Sequence, residues 1–365
     1  MKVCHFTSAH SKEDSRIFFK ECVSLANAGY DVYMVGYGGD YEKSGVHMVG
    51  AGEKPRGRFD RMFRFTGAVC KTALGLDCDI YHFHDPELLP YALRLKRAGK
   101  TVIFDSHEDV PAVIMSREWI PAPLRRLVSR TYKTFETYVV KRLDAVVAAT
   151  PHIERQFHGR ARKAVTVRNY PLLQTDRIPR DHRERTLQLG YTGVRVSPDR
   201  GAAQMVQAAS AAKARLDAYG EVKPAELRKE LEQMDPEGCV TFHGLVPFEE
   251  LQQQMENMKI GLLVEHPTQN GVNALCIKMF EYMLHGMALI VSDFPLWREI
   301  VSEADCGICV DPFDVGAIAE AITELTEHPD RTAEMGMNGY QAVVGRYNWK
   351  TEEKKLLALY GSFGK

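Results

Sequence analysis

CIKMFEYMLHGMALIVSD, residues 276–293, decides how the rest of the chain is to be read. A helical period puts Lys278, Glu281, Tyr282 and His285 on one stripe, with Met279, Phe280, Met283, Leu284 and Met287 on the other side. The apolar run that follows reads as a buried strand. Taken alone, the charged stripe predicts a solvated salt-bridge face. The surroundings of the helix change that expectation.

Upstream, the strand pattern KIGLLV runs through the loop EHPTQNGVNAL into this helix, so Lys278 and Glu281 fall in its first turns, at the carboxyl end of a strand. The same grammar extends in both directions. KVCHFT, a helix RIFFKECVSLANA closed by Gly29, and DVYMVG open the chain; DIYHF, PELLPYALRLKRA, TVIFD, a long helical region near 121–142, DAVVAA and AVTV follow. Strand, helix, helix-ending Gly and strand again is the signature of βαβ units and a parallel sheet. The polar, aperiodic stretch 174–185 reads as a linker, and the pattern then restarts with TLQLGYTG, CVTFHG, KIGLLV, ALIVSD and GICVD. The expected fold class is therefore α/β, with two doubly wound Rossmann-like domains (1–173 and 186–346) facing across a cleft. Ligands of such sheets sit beyond the carboxyl ends of the strands.

Composition agrees. A chain of 365 residues suits two domains of about 150–200 residues each. The net charge of −1 hides an asymmetry: residues 1–170 carry 27 Lys/Arg against 19 Asp/Glu, and residues 171–365 carry 20 against 29. A basic first half suits an anionic surface or substrate. Eight scattered Cys form no disulfide framework, and CGIC (306–309) reads as structural. The opening MKVCHFT is a strand pattern rather than a signal peptide, and no apolar run approaches the ~20 residues of a membrane span. The expected location is cytoplasmic, with any membrane touched from its surface.

The loops at the strand ends carry the chemistry. The start of the helix after EHPTQNGVNAL offers free N–H groups and a positive dipole end, and Lys278 adds a charge, all favouring phosphate. Glu281 beside a diphosphate makes sense as the acceptor of hydrogen bonds from the two hydroxyls of a ribose. GYTGVRVSPDRGAAQ (190–204) supplies Gly193, Arg195, Arg200 and Gly201, a second phosphate-compatible loop. VGYGGDY (35–41) lacks the third Gly of a dinucleotide fingerprint and reads as a plain loop. In the first half, YHFHDPELL and FDSHEDVP each end a strand with His and acids. Asp85 before Pro86 reads as a helix cap, and His82 as core. His84, Glu87, His107, Glu108 and Asp109 are expected to project from the strand ends. His10, Asp14 and Arg16, in the loop after the first strand, aim the same way, with Asp14 as a possible ion-pair partner of Arg16. No spacing matches a zinc pattern.

HDPELLP, DSHEDVP, YTG with RG, and KMFEYM with IVSD, in that order, resemble the retaining glycosyltransferases of family 4, which have the GT-B fold; the resemblance spans essentially the whole chain. It implies transfer of a sugar from a nucleoside diphosphate donor (UDP first) to a hydroxyl acceptor, with retention and without a metal or other cofactor. It implies that Glu281 binds the donor ribose, that Arg200 and Lys278 hold the diphosphate, that His107 lies beside the transferred sugar and that the Gly244 backbone meets the base. Residues 347–365 resemble the segment that crosses back onto the first domain. Where the family often has a Glu eight positions before the ribose acid, this chain has Asn273, on the donor-sugar side. Asp85 and Glu87 join His107 as candidate catalytic groups.

KPRGRFDRMFRF (54–65) interleaves five cations with three Phe, and REWIPAPLRRLVSRTYK (117–133) adds Trp119 and more Arg. These segments suit a lipid-linked acceptor at an anionic membrane, in cell-surface polysaccharide or glycolipid synthesis, or else a core helix with a basic solvated face. No nucleic-acid module is present. A non-catalytic sugar-nucleotide-binding subunit, a sugar epimerase or pyridoxal-phosphate phosphorylase of the same fold, and a glycosidase using Glu87 with Glu108 or Asp109 are the competing readings.

Overall fold

Parallel β-structure organises both halves. The computed structural model describes residues 1–117, 119–173, 178–268 and 271–364. The chain divides into two units, Met1–Asn169 with Trp349–Lys365, and Tyr170–Asn348.

The first unit holds an eight-stranded sheet: β1 (Lys2–Phe6), β2 (Asp31–Gly36), β3 (Tyr41–Lys43), β4 (Val46–Gly50), β5 (Ile80–Phe83), β6 (Thr101–Ser106), β7 (Ala145–Ala148) and β8 (Ala164–Thr166), in the order β3-β4-β2-β1-β5-β6-β7-β8. Only the β3–β4 pair is antiparallel, a hairpin the periodicity did not announce. The order reverses direction between β1 and β5, so the loops after these strands meet at one point. Strand alternation sends Phe6, Phe83 and Phe104 to one face and Val3, Ile80 and Ile103 to the other. The second face also carries His5, opposite His82 in the register of β1 and β5. The C-terminal helix Trp349–Gly361 belongs to this unit: Leu356, Leu359 and Tyr360 are buried in it, and the Trp349 indole N–H donates to Ser24 Oγ at 2.8 Å. The helix expected after β1 opens as a π-helical turn, Ile17–Cys22, before the α-helix Val23–Asn27.

The second unit is a six-stranded, all-parallel sheet: β9 (Leu187–Val196), β10 (Leu216–Val222), β11 (Val240–Gly244), β12 (Met258–Leu263), β13 (Ala288–Ser292) and β14 (Gly307–Val310), ordered β11-β10-β9-β12-β13-β14. Its switch point lies between β9 and β12. Along β12, Ile260 and Leu262 pack on one side with the helix Ala202–Ala211. Met258 and Leu263 pack on the other with Met279, Phe280 and Met283 of the helix Ile277–Leu284. Of the stretch expected to be linker, residues 174–177 lie outside the described residues. Residues 178–185 pack into the second unit, because the buried Arg185 guanidinium donates to the carbonyls of Met258 and His285, both at 2.7 Å. A strand through ARLDAYGE exists despite its acid: Asp217 in β10 is fully buried and accepts from His243 at 2.8 Å.

Candidate donor pocket and the histidine–carboxylate cluster

Beyond the carboxyl ends of β9–β12 lies a pocket of about 570 Å³. Its floor is backbone: Gly193, Gly220 and Gly244 line it, together with Arg195, Arg200, Lys278 and Glu281. Two glycines are dictated by close approach. A Cβ on Gly220 (φ +137°) would lie 2.5 Å from the Gly193 carbonyl oxygen, and one on Gly201 (φ +71°) 2.0 Å from that of Val264. Gly201 also starts the helix Ala202–Ala211, which fixes Arg200 at the pocket edge.

The helix Ile277–Leu284 starts at the pocket, and its N-cap residue, Cys276, makes no side-chain capping bond. Its first turn therefore presents backbone donors and the positive dipole end there. The polar stripe is not a solvated face: Tyr282 and His285 are buried, and Tyr282 Oη accepts from the Thr192 N–H at 2.7 Å, locking the helix to β9. Only Lys278 and Glu281, three positions apart, reach the pocket from this stripe.

Lys278 Nζ sits 4.9 Å from the centre of the Tyr191 ring and 2.9 Å from Glu265 Oε1, while Arg200 Nη1 pairs with Glu265 Oε2. Sequence reasoning missed Glu265, the acid just after β12. Burial pushes its pKa up, but the two cations outweigh burial and hold it below the usual carboxylate value. Burial also disfavours charge on Lys278 and Arg200; their neighbours, Glu265 foremost for Arg200, raise both all the same. The Cys276 thiol, packed beside them, is pushed up by burial. Of the seven residues expected around a donor, Asn273 alone does not line this pocket; it closes the short helical turn Gly271–Asn273.

In the first unit the switch point gathers a different set. Asp85 stands at the N-cap position of the turn Pro86–Leu88 but makes no capping bond. Its carboxylate turns to the loop after β1, accepting from Thr7 Oγ1 (2.7 Å), Ser8 N (2.6 Å) and Ala9 N (3.2 Å) and pairing with His10 Nδ1 (3.1 Å). Several loop donors outcompete the single bond a cap would make. Burial opposes charge on Asp85, yet these donors hold its pKa far down. Burial likewise opposes a charged His10, and Asp85 reverses the balance and raises it.

His84 does not project. It is buried, bonded to His5 (3.0 Å) and flanked by Asp105 (3.3 Å) and His107 (3.4 Å), and burial lowers its pKa. Arg16 is buried too: Asp14 accepts from the backbone N–H groups of Arg16 and Ile17, while the Arg16 guanidinium forks onto Asp105 at 3.1 and 3.0 Å. Asp105, unnoticed in the sequence, is the hub, also 3.2 Å from His107 Nε2. The β6 pleat turns it toward β5 and β1, whereas Glu108 is exposed and Asp109 caps the helix Val110–Ser116 through Ala112 N. Glu87 accepts from Ser8 Oγ (3.1 Å) and pairs with Arg61 (2.7 Å). The structure thus brings His10, His84, Asp85 and His107 into one cluster, with the His10 and His107 rings 5.3 Å apart.

Two groups here place metal-ligating atoms within 4.8 Å of one another: His5, Glu21, His82 and His84; and His84, Asp105 and His107. Arg16 lies 3.1 Å from Glu21 and 3.0 Å from Asp105, so a guanidinium supplies positive charge among these acids.

Residues 20–171 match the model of the glycosyl transferase 4-like domain, and residues 181–342 match that of glycosyl transferases group 1. The chain belongs to the GT-B glycosyltransferases. Solved structures similar to this glycosyltransferase cover nearly all of it. Sucrose-phosphate synthase from Thermosynechococcus elongatus aligns with a TM-score of 0.77 at 16% identity, over 99% of both chains. HepE of Anabaena, in complex with UDP, aligns at 0.71 and 14%, over 99% of this chain and 100% of that one. The E. coli trehalose-6-phosphate protein bound with UDP-2-fluoro glucose aligns at 0.71 and 14%, over 98% of both. No protein with a curated description matches the chain in sequence. Among the described residues, no helix is long and apolar enough to cross a membrane.

Proposed function

We propose that this glycosyltransferase moves a sugar with retention from a nucleoside diphosphate sugar, UDP first among the bases, to a hydroxyl acceptor, without a metal. The observation that carries the donor reading is the convergence of Arg200, Lys278 and Glu281 on one glycine-floored pocket at a helix N-terminus. UDP in HepE and UDP-2-fluoro glucose in the E. coli protein support that base. Arg200 and Lys278 hold the diphosphate, Glu281 accepts from the ribose hydroxyls, and the backbone around Gly193 and Gly244 approaches phosphate and base. The bond between the anomeric carbon and the phosphate oxygen breaks, and the acceptor oxygen bonds to the same face. The acceptor proton passes to the departing phosphate. Negative charge grows on the diphosphate as it leaves, so the fixed cations stabilise the transition state more than the ground state. In this reading His107, whose Nε2 lies 3.2 Å from Asp105, attends the transferred sugar, and Asp85 and Glu87 are the further candidate catalytic groups.

The acceptor is lipid-linked and reached at an anionic membrane in polysaccharide or glycolipid synthesis. Support comes from a surface of the first unit: Phe59, Phe63, Trp119 and Leu127 are each more than 60% exposed, and Arg58 stacks on Trp119 at 4.6 Å, joining two segments rich in Arg. Asn273 favours a second reading, a subunit that binds sugar nucleotide without turning it over. Release of nucleoside diphosphate from a panel of sugar nucleotides, with and without EDTA, decides between them. EDTA-insensitive release from one donor, faster with acceptor lipid, is expected; nucleotide binding with no release from any donor supports the second reading.

A further inference from the structure

We propose that Glu265 is a built-in competitor for the diphosphate, which sets how tightly the nucleotide is held and how fast it leaves; this rests on the donor reading above. The carboxylate spans both pocket cations, with one oxygen 2.9 Å from Lys278 Nζ and the other paired with Arg200 Nη1. Two oxygens bridging two cations is the same contact that a phosphate group makes. Glu265 is nearly fully buried, so solvent does not screen it, and the cations keep it charged. The three groups together carry one net positive charge, against at least two negative charges on a nucleoside diphosphate. A diphosphate reaching these cations therefore shares them with Glu265 or displaces it, and either event opposes binding.

The purpose fits the chemistry. A departing diphosphate gains charge and is held most strongly just when it has to leave. A fixed acid between its two cations weakens that hold and speeds release. The opposite role, a brace that keeps Arg200 and Lys278 in position, predicts the reverse sign for every substitution, so one experiment separates them.

Calorimetric titration with UDP, GDP and dTDP of the wild-type chain, Glu265→Gln and Glu265→Asp makes the test. Gln keeps the shape and removes the charge; Asp keeps the charge but is too short to bridge both cations. UDP is expected to bind Glu265→Gln about tenfold to a hundredfold more tightly than wild type, with Glu265→Asp between the two. In donor turnover, KM and kcat both fall in Glu265→Gln as release becomes limiting. Should the Gln variant fail to fold, the Asp variant carries the same sign. Wild-type binding with equal or weaker affinity in the folded variants overturns the Glu265 inference and leaves the donor reading intact. No binding of any nucleoside diphosphate to any form overturns both.

Discussion

Replacing Lys278 with Met removes one positive charge and little else. The side chain is largely buried beside Tyr191, Met fills similar volume, and Glu265 retains Arg200 as partner. At roughly 4 Å and an effective dielectric of about 20, one unit charge interacts with another by about 4 kcal/mol. Only the part of that interaction that grows as the diphosphate departs appears in kcat. Losing one such donor typically costs about 2.7–4 kcal/mol, or ~10²–10³ in kcat. The assay is the initial rate of nucleoside diphosphate release at saturating donor, with circular dichroism to confirm the fold. The account expects kcat to fall by about two to three orders of magnitude, with a smaller change in KM. A kcat within about threefold of wild type, in a folded variant, refutes the electrostatic argument.

Other expectations follow from the first unit. Burial lowers the pKa values of His5, His82 and His84 below the ordinary ~6.5, so the unfolded chain binds more protons; the stability they lend is complete above pH ~6.5 and falls as pH drops through and below it. His10, Glu21 and Glu136 are raised and act oppositely, so the net loss is smaller than the three histidines alone would give. Urea unfolding at pH 7.5 and 5.5 should show a clear loss at the lower pH, and equal stabilities contradict the buried neutral histidines. Leu356→Ala in the C-terminal helix, at a fully buried site, should destabilise the unit by about 2–5 kcal/mol in urea unfolding followed by Trp fluorescence; a loss under ~1 kcal/mol means the helix is not part of that core. Trp119→Ala and Phe63→Ala should each weaken co-sedimentation with phosphatidylglycerol vesicles about tenfold, with little binding to phosphatidylcholine alone. Unchanged sedimentation, or equal binding to neutral vesicles, removes the membrane reading.

The architecture was legible because alternation of strand and helix patterns is a local property. So was the placement of Lys278 and Glu281, since the strand-loop-helix order alone puts them at a carboxyl end. What could not be read were the partners made by register. Asp105 looks like one acid among three in FDSHED, and only the pairing of β6 with β5, itself paired with β1, turns it onto His84, His107 and Arg16. The same pairing buries His84, which its loop position suggested was open. Asp85 followed by Pro is a sound cap signal, overruled by loop donors 77 residues away in sequence. Glu265 closes the apolar run KIGLLV and carries no motif; its meaning appears only when Arg200, from the turn after β9, and Lys278, from the helix Ile277–Leu284, arrive on either side of it.

Titration of the protein with UDP, beside the Glu281→Ala variant, tests the central claim most directly. The account predicts saturable one-to-one binding in the presence of EDTA, weakened at least tenfold in the variant by loss of the acceptor for the ribose hydroxyls. Failure of UDP and of every other nucleoside diphosphate to bind, or equal binding to both forms, contradicts the assignment of Glu281 and the pocket.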